Sequence, residues 1–177
     1  MRAWRLFALD TTYSLLRAPQ VGNPLVARRL GRAPQPWRSR ELRPVCLLVD
    51  GHVPPVVGCF CGVYAVADRG LLERVAAAGF ERVIAEVDLT GPVLPDPAEW
   101  TTGVPGLRAA GGTLLSLEIQ PPPQVPIPAF IAARPDLLAE VQRRIGSRFA
   151  WWTGRAGLIE RLHARYGVPV TAGGGAG

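Results

Sequence analysis

The chain has 177 residues, 48% of them hydrophobic, so it is too apolar for intrinsic disorder and long enough to bury a core without disulfides. All 20 basic residues are arginine and 14 residues are acidic, giving a formal charge of +6 that attracts phosphates, anionic lipids and acidic proteins. No stretch reaches the roughly 18 apolar residues of a membrane span, and Asp10 interrupts any secretory signal. Three cysteines, an odd number, disfavour a disulfide framework, so we expect a cytoplasmic protein.

The N-terminal segment predicts a β-hairpin followed by a long connection. Trp4 to Leu9 and Tyr13 to Leu16 are rich in strand-forming residues and flank the short polar turn Asp10-Thr11-Thr12. Residues 17–44 are then rich in proline and arginine. This composition predicts an irregular basic connection that lies over the core, with Trp37 as its anchor.

The middle of the chain predicts a small sheet with one helix. Runs of apolar or alternating residues, bounded by turn residues, predict strands at residues 45–49, 59–66, 80–89 and 113–120. Asp68 is placed to cap a helix that ends before Gly79. Thr90-Gly91-Pro92 predicts a turn that ends the third of these strands. Residues 1–120 are therefore expected to form an α+β core domain whose sheet is mostly antiparallel.

Beyond the core, the pattern predicts a C-terminal helical hairpin. Residues 121–135 contain enough proline to form a stiff spacer. Residues 136–170 then show helical periodicity, with one helix carrying an apolar stripe from Leu137 to Phe149. A second helix is predicted over residues 155–166 and a C-cap at Gly167, and residues 171–177 are expected to be a flexible tail.

All three cysteines and one of the two histidines fall in a single stretch, as Cys46, His52, Cys59 and Cys61. Tetrahedral zinc is bound by thiolates and imidazoles, so this set predicts a Cys₃His zinc site. The spacing is unusual because a single residue separates Cys59 from Cys61, and two other interpretations stay open. In a strand, Cys59, Cys61 and Val63 would share one face as small core residues. One of these thiols could instead be reactive, with His52 as its base.

The same stretch carries a resemblance to a known group of proteins. The segment Cys59-Phe60-Cys61-Gly62-Val63-Tyr64-Ala65 resembles the Cys-x-Cys-Gly-Ile-Tyr-Ala signature of small uncharacterised proteins from high-GC Gram-positive bacteria and their phages. In those proteins a His-x-x-Pro element and an earlier cysteine precede the signature, as His52-Val53-Pro54-Pro55 and Cys46 do here. The resemblance covers roughly residues 1–119 and implies a folded module, while it implies no activity.

The arginine-rich ends suggest a second kind of partner. Arginine supplies phosphate-binding charge and tryptophan supplies stacking surface, which together are typical of nucleic-acid binding. The candidate residues for a nucleic acid or another partner are Arg28, Arg29, Arg32, Arg143, Arg144, Arg148, Trp151 and Trp152. A helical hairpin that packs on the core with its tryptophans at the corner explains the C-terminal members of this set equally well.

No phosphate-binding loop, nucleophile elbow or His-Glu-x-x-His motif occurs in the sequence. We therefore expect a non-catalytic accessory or interaction protein that binds another protein, and the resemblance places it in a phage or mobile element. The alternatives are a nucleic-acid-binding regulator that uses the arginine-rich ends and a Cys/His enzyme.

Overall fold

A computed structural model describes residues 1–10, 14–17, 36–46, 51–59, 61–76, 82–96, 105–121 and 129–173. The fold of this part is α+β with a mostly antiparallel sheet, as the sequence predicts. The strands are β1 (Arg2–Asp10), β2 (Leu15–Arg17), β3 (Glu41–Leu42), β4 (Val63–Ala65), β5 (Arg82–Asp96), β6 (Gly106–Ile119) and β7 (Val170–Ala172). The helices are α1 (Arg69–Ala76), α2 (Ala129–Ala132), α3 (Pro135–Thr153) and α4 (Arg155–Tyr166).

The described strands form one sheet built around β6. Its main path runs β2-β1-β5-β6-β3, and both β4 and β7 also pair with β6. β1 pairs antiparallel with β2, which confirms the predicted hairpin. The β6–β7 pair is parallel, because α3 and α4 carry the chain back across the sheet between these two strands.

The predicted turn at Thr90-Gly91-Pro92 is wrong, since β5 continues through it to Asp96. The register of β5 against β6 shifts by one residue between Thr90 and Val93, which is a β-bulge. Gly91, at φ +72°, supplies the backbone conformation that the bulge needs. The strand therefore bends where the sequence suggested an end, and it goes on pairing.

Neighbouring strand residues point to opposite faces of the sheet, and here each face carries apolar side chains that other elements cover. On one face Phe7 and Leu9 of β1 belong to the larger core cluster, to which α4 contributes Leu158 and Leu162. On the other face a smaller cluster joins Leu72 of α1 to the β-sheet. Trp37, near the C-terminal end of the predicted connection, is half-buried against the larger cluster, which agrees with its predicted role as an anchor.

The C-terminal helices begin and end close to their predicted positions, with Gly154 between them. The backbone N–H of Gly167, at φ +63°, donates to the carbonyl of His163 and ends α4, as the sequence predicts. The chain then enters β7, although residues 171 and 172 were expected in the tail. Residues 174–177 of that tail lie outside the described part, as do residues 122–128 of the proline spacer.

Candidate metal centre

Four side chains meet between β3 and β4. The ligand atoms of Cys46, His52, Cys59 and Cys61 all lie within 4.8 Å of one another. Cys46 Sγ is 3.6 Å from Cys59 Sγ, and His52 Nε2 is 3.0 Å from Cys61 Sγ. Around a tetrahedral zinc ion, ligand atoms are about 3.5–3.8 Å apart, which follows from bond lengths of about 2.0–2.3 Å. The four residues therefore form a group that could hold a metal ion after small movements, and we call it the Cys₃His cluster.

One strand holds both ends of the segment that carries this cluster. β3 pairs with β6 at Thr113 and Gly112, and the chain then runs through Cys46. It returns through Cys61 into β4, which pairs with β6 from Ala109 to Leu107. Residues 109 and 112 of β6 are about 10 Å apart at the usual rise of a strand. The departing and returning chains are therefore neighbours, which brings ligands distant in sequence together.

The cysteines do not lie in a strand, so the interpretation that Cys59, Cys61 and Val63 share a strand face is wrong. β4 begins only at Val63. Gly62 has φ +128°, and a Cβ atom there would lie 3.1 Å from the carbonyl oxygen of Ala109. A positive φ and this close approach to β6 break the alternation of an extended strand at the residue after Cys61.

The predicted strand at residues 45–49 is also absent where the chain is described. Val45 and Cys46 lie in irregular backbone, and Val45 is 79% exposed. Residues 47–49 lie outside the described part. The apolar sequence was misleading because Val45, which suggested a buried strand, lies exposed in a loop.

A tight turn presents Cys59 to the cluster. The backbone N–H of Cys59 donates to the carbonyl of Val56 at 3.1 Å, and Gly58 between them has φ +80°. This pattern is that of a turn that requires glycine at its third position. It places the half-buried Cys59 beside the buried Cys46 and Cys61.

The Cys59 thiol lacks the activation that a catalytic cysteine needs. Desolvation raises the pKa of the Cys59 thiol, and hydrogen bonds with Cys46 and Cys61 raise this pKa further. A catalytic cysteine needs the opposite shift, because its thiolate is the nucleophile. His52 does lie within reach of Cys61 as a base would, but the same contact is expected between two ligands of one metal ion.

Two residues that lie beside the cluster were not identified from the sequence. Arg108 of β6 and Asp96 of β5 are buried, and their side chains approach to 3.6 Å between Nε and Oδ1. Arg108 Nη1 donates to the carbonyl oxygen of Cys59. Charged residues of strands usually face solvent, so the sequence carries no signal for this arrangement.

The predicted basic site lies only partly within the described residues. Arg28, Arg29 and Arg32 lie outside the described residues, and the side chains of Arg148 and Trp151 in α3 are not described either. Arg143 and Arg144 both bond to Glu140, and these bonds lower the pKa of the Glu140 carboxyl. Trp152 packs against the core, and the Cζ atom of Arg155 lies 4.9 Å from the centroid of its ring.

Arg143 and Trp152 are also separated along α3. Nine helical residues correspond to about 13 Å at 1.5 Å per residue. The arginine charges of the first part of α3 therefore do not surround the indole of Trp152. The described residues at this end are explained by ion pairing and packing.

A search for membrane-spanning helices and three comparisons with known proteins add further findings. No helix within the described residues is long and apolar enough to cross a membrane. No protein-family model matches the chain, and the curated proteins and the solved structures give no significant match. The resemblance of residues 59–65 to the bacterial and phage signature therefore stays a prediction.

Proposed function

We propose that this chain is a non-catalytic interaction protein whose Cys₃His cluster holds a structural zinc ion. The observation that carries the proposal is the convergence of four zinc-type ligand atoms within 4.8 Å. Three thiolates and one imidazole suit zinc and disfavour hard cations such as magnesium and calcium. Four protein ligands complete a tetrahedron, which leaves no position for a catalytic water. A site of this kind fixes the conformation of its loop.

The surface around the cluster supports binding to another protein. Val45, Val53 and Val57 are 79%, 80% and 81% exposed. Val45 and Val53 are chain neighbours of the ligands Cys46 and His52, and Val57 lies two residues before Cys59, so all three valines belong to the segment that carries the cluster. Exposed apolar side chains that form a contiguous patch are typical of interaction sites, and we propose that these valines contribute to one. The cytoplasmic location and the association with a phage or mobile element belong to this proposal and depend on sequence composition and resemblance.

The metal proposal is tested by elemental analysis of protein purified without an affinity tag. We expect about one zinc ion per chain, which should be lost in Cys59→Ser and in His52→Gln. His163→Gln is the matched control, because His163 is the second histidine and bonds to the carbonyl of Val168. Wild-type protein that holds no zinc after exposure to it would refute the proposal, as would equal zinc content in all variants.

The interaction proposal is tested with the zinc-loaded protein by cross-linking in extract of the source cells. We expect Val53→Ser and Val57→Ser to reduce the yield of the cross-linked partner while zinc content stays at the wild-type level. Unchanged yield in both variants would show that this surface is not the contact.

The two alternatives stay predictions. For a nucleic-acid-binding regulator we expect retention on DNA that weakens with salt, and no retention at low salt would remove it. For a Cys/His enzyme, alkylation of the metal-free protein must be faster than that of a free thiol. The raised pKa of Cys59 favours the opposite result.

A further inference from the structure

Arg108 contacts the loop of the Cys₃His cluster at several points. Its Nη1 donates to the carbonyl oxygen of Cys59 and lies 3.4 Å from the carbonyl oxygens of both Val56 and Cys61. Two of these three residues are ligands of the cluster. One guanidinium group therefore faces the backbone on both sides of Phe60, which lies outside the described residues.

The position of this guanidinium is fixed by the sheet. Arg108 pairs with Tyr64 of β4 and with Leu94 of β5, so its backbone belongs to the interior of the ladder. Its side chain is 8% exposed, and Nε lies 3.6 Å from Oδ1 of the equally buried Asp96. The carboxylate is the ion-pair partner of one end of the planar group, and the other end faces the loop. A planar guanidinium can serve both ends at once, which an ammonium group cannot.

We infer that Arg108 is a positioning residue for zinc at the Cys₃His cluster; this inference rests on the proposed zinc site. Groups beside a metal site orient its ligands, and their removal typically weakens metal binding about 10–100-fold. Arg108 acts through the backbone of Cys59 and Cys61, because its donor contacts their carbonyl oxygens. It therefore sets the distance and direction of two of the three thiolates without touching the metal.

Charge alone does not account for this arrangement. The zinc ion with three thiolates and a neutral imidazole carries one net negative charge, which a neighbouring cation offsets. Asp96, however, already balances the charge of Arg108. The hydrogen-bonding geometry is thus the more important contribution, and a lysine at this position should replace it only in part.

The test compares zinc dissociation constants, measured by chelator competition at a temperature at which every variant is folded. We expect Arg108→Gln to raise the constant about 10–100-fold and Arg108→Lys to raise it less. The matched control is Arg5→Gln, because Arg5 is also buried and donates to a backbone carbonyl, that of Tyr64, at 2.6 Å. Arg5→Gln should lower the melting temperature and leave the zinc constant near the wild-type value.

Cobalt(II) gives a second measurement, since its visible absorption reports the geometry of the ligands around it. We expect altered bands in Arg108→Gln and wild-type bands in Arg5→Gln. Asp96→Asn replaces Arg108→Gln if the latter does not fold, and it should also weaken zinc binding because the guanidinium loses its charged anchor.

The outcomes separate this inference from the proposed function. Wild-type affinity in Arg108→Gln, or in Asp96→Asn where that variant replaces it, would overturn the inference while zinc binding stands. Equal loss of affinity in Arg5→Gln would also overturn it, because the effect would then be one of general stability. If wild-type protein binds no zinc, the proposed function fails and the inference fails with it.

Discussion

Tyr166 connects the C-terminal helix to the N-terminal hairpin, and its hydroxyl offers a well-defined test of the fold. The side chain is 2% exposed. Its hydroxyl donates to the carbonyl of Trp37 at 2.7 Å and accepts from the backbone N–H of Leu16 at 2.9 Å. Tyr166→Phe keeps the ring and removes both bonds. The buried N–H of Leu16 then loses its acceptor, while the carbonyl of Trp37 is only partly buried and can be hydrated.

The loss of stability in Tyr166→Phe comes from the buried N–H of Leu16, which is left without an acceptor. A buried polar group left without a partner costs about 1–3 kcal/mol, so we expect Tyr166→Phe to lower the free energy of unfolding by about 2 kcal/mol. For a chain of this size that corresponds to a decrease of about 4–8 °C in the melting temperature. Urea unfolding followed by circular dichroism measures the difference. Glu160→Gln, at an exposed position of the same helix, is the control and should change stability by less than about 0.5 kcal/mol.

The same residue predicts a change at high pH. Desolvation raises the pKa of Tyr166 above the ordinary value of 10.0. Between the two values the folded protein keeps a proton that the unfolded chain releases, so stability decreases as the pH rises above 10. The phenylalanine variant lacks this contribution, and the stability difference between the two proteins should narrow there. A loss below about 0.5 kcal/mol at neutral pH, or a difference that does not narrow, would refute the reasoning.

Two further predictions concern the Cys₃His cluster. Gly62→Ala should lower the free energy of unfolding by about 1–3 kcal/mol in urea titrations, because alanine is strained at φ +128° and its Cβ would lie 3.1 Å from the carbonyl oxygen of Ala109; stability equal to wild type would contradict this. The raised pKa of Cys59 predicts opposite pH dependences with and without zinc. Zinc affinity should fall as the pH falls, since protons compete for the thiolate, whereas metal-free stability should fall as the pH rises above the ordinary cysteine pKa of 9.0. Zinc competition and unfolding titrations across pH 6–10 check both directions, and the same sign in the two series would contradict the assignment.

The sheet was predictable where periodicity is strong. Alternation along residues 80–89 and 113–120 identifies the central parts of β5 and β6, and helical periodicity identifies α3 and α4. The extension of β5 through Gly91-Pro92 was not predictable from the sequence, because a β-bulge and a turn use the same residue types. β7 is three residues long beside a glycine-rich tail, so its parallel pairing with β6 is a tertiary effect without a local pattern.

The candidate site was predictable in its members but not in its geometry. The close spacing of Cys46, His52, Cys59 and Cys61 indicated a ligand set, while the apolar residues around them also suggested strands. The two interpretations differ in the backbone at Gly62, whose positive φ depends on its approach to β6. Arg108 could not be predicted, because burial of an arginine against loop carbonyls depends on contacts that form only in the folded chain.

The way the cluster is attached to the sheet also bears on what the proposed zinc ion would do for the fold. Among the described residues, the two core clusters include none of the four ligands, although Val63 and Ala65 of the following strand belong to the larger one. The pairing of β3 and β4 with β6 holds the two ends of the loop, and Arg108 contacts the backbone between them, while the ligand side chains lie outside both core clusters. A small zinc finger unfolds without its metal because it has no other core. Here the sheet and its helices provide that core, so removal of zinc should release the loop and leave the far-ultraviolet circular dichroism of the sheet close to that of the loaded protein.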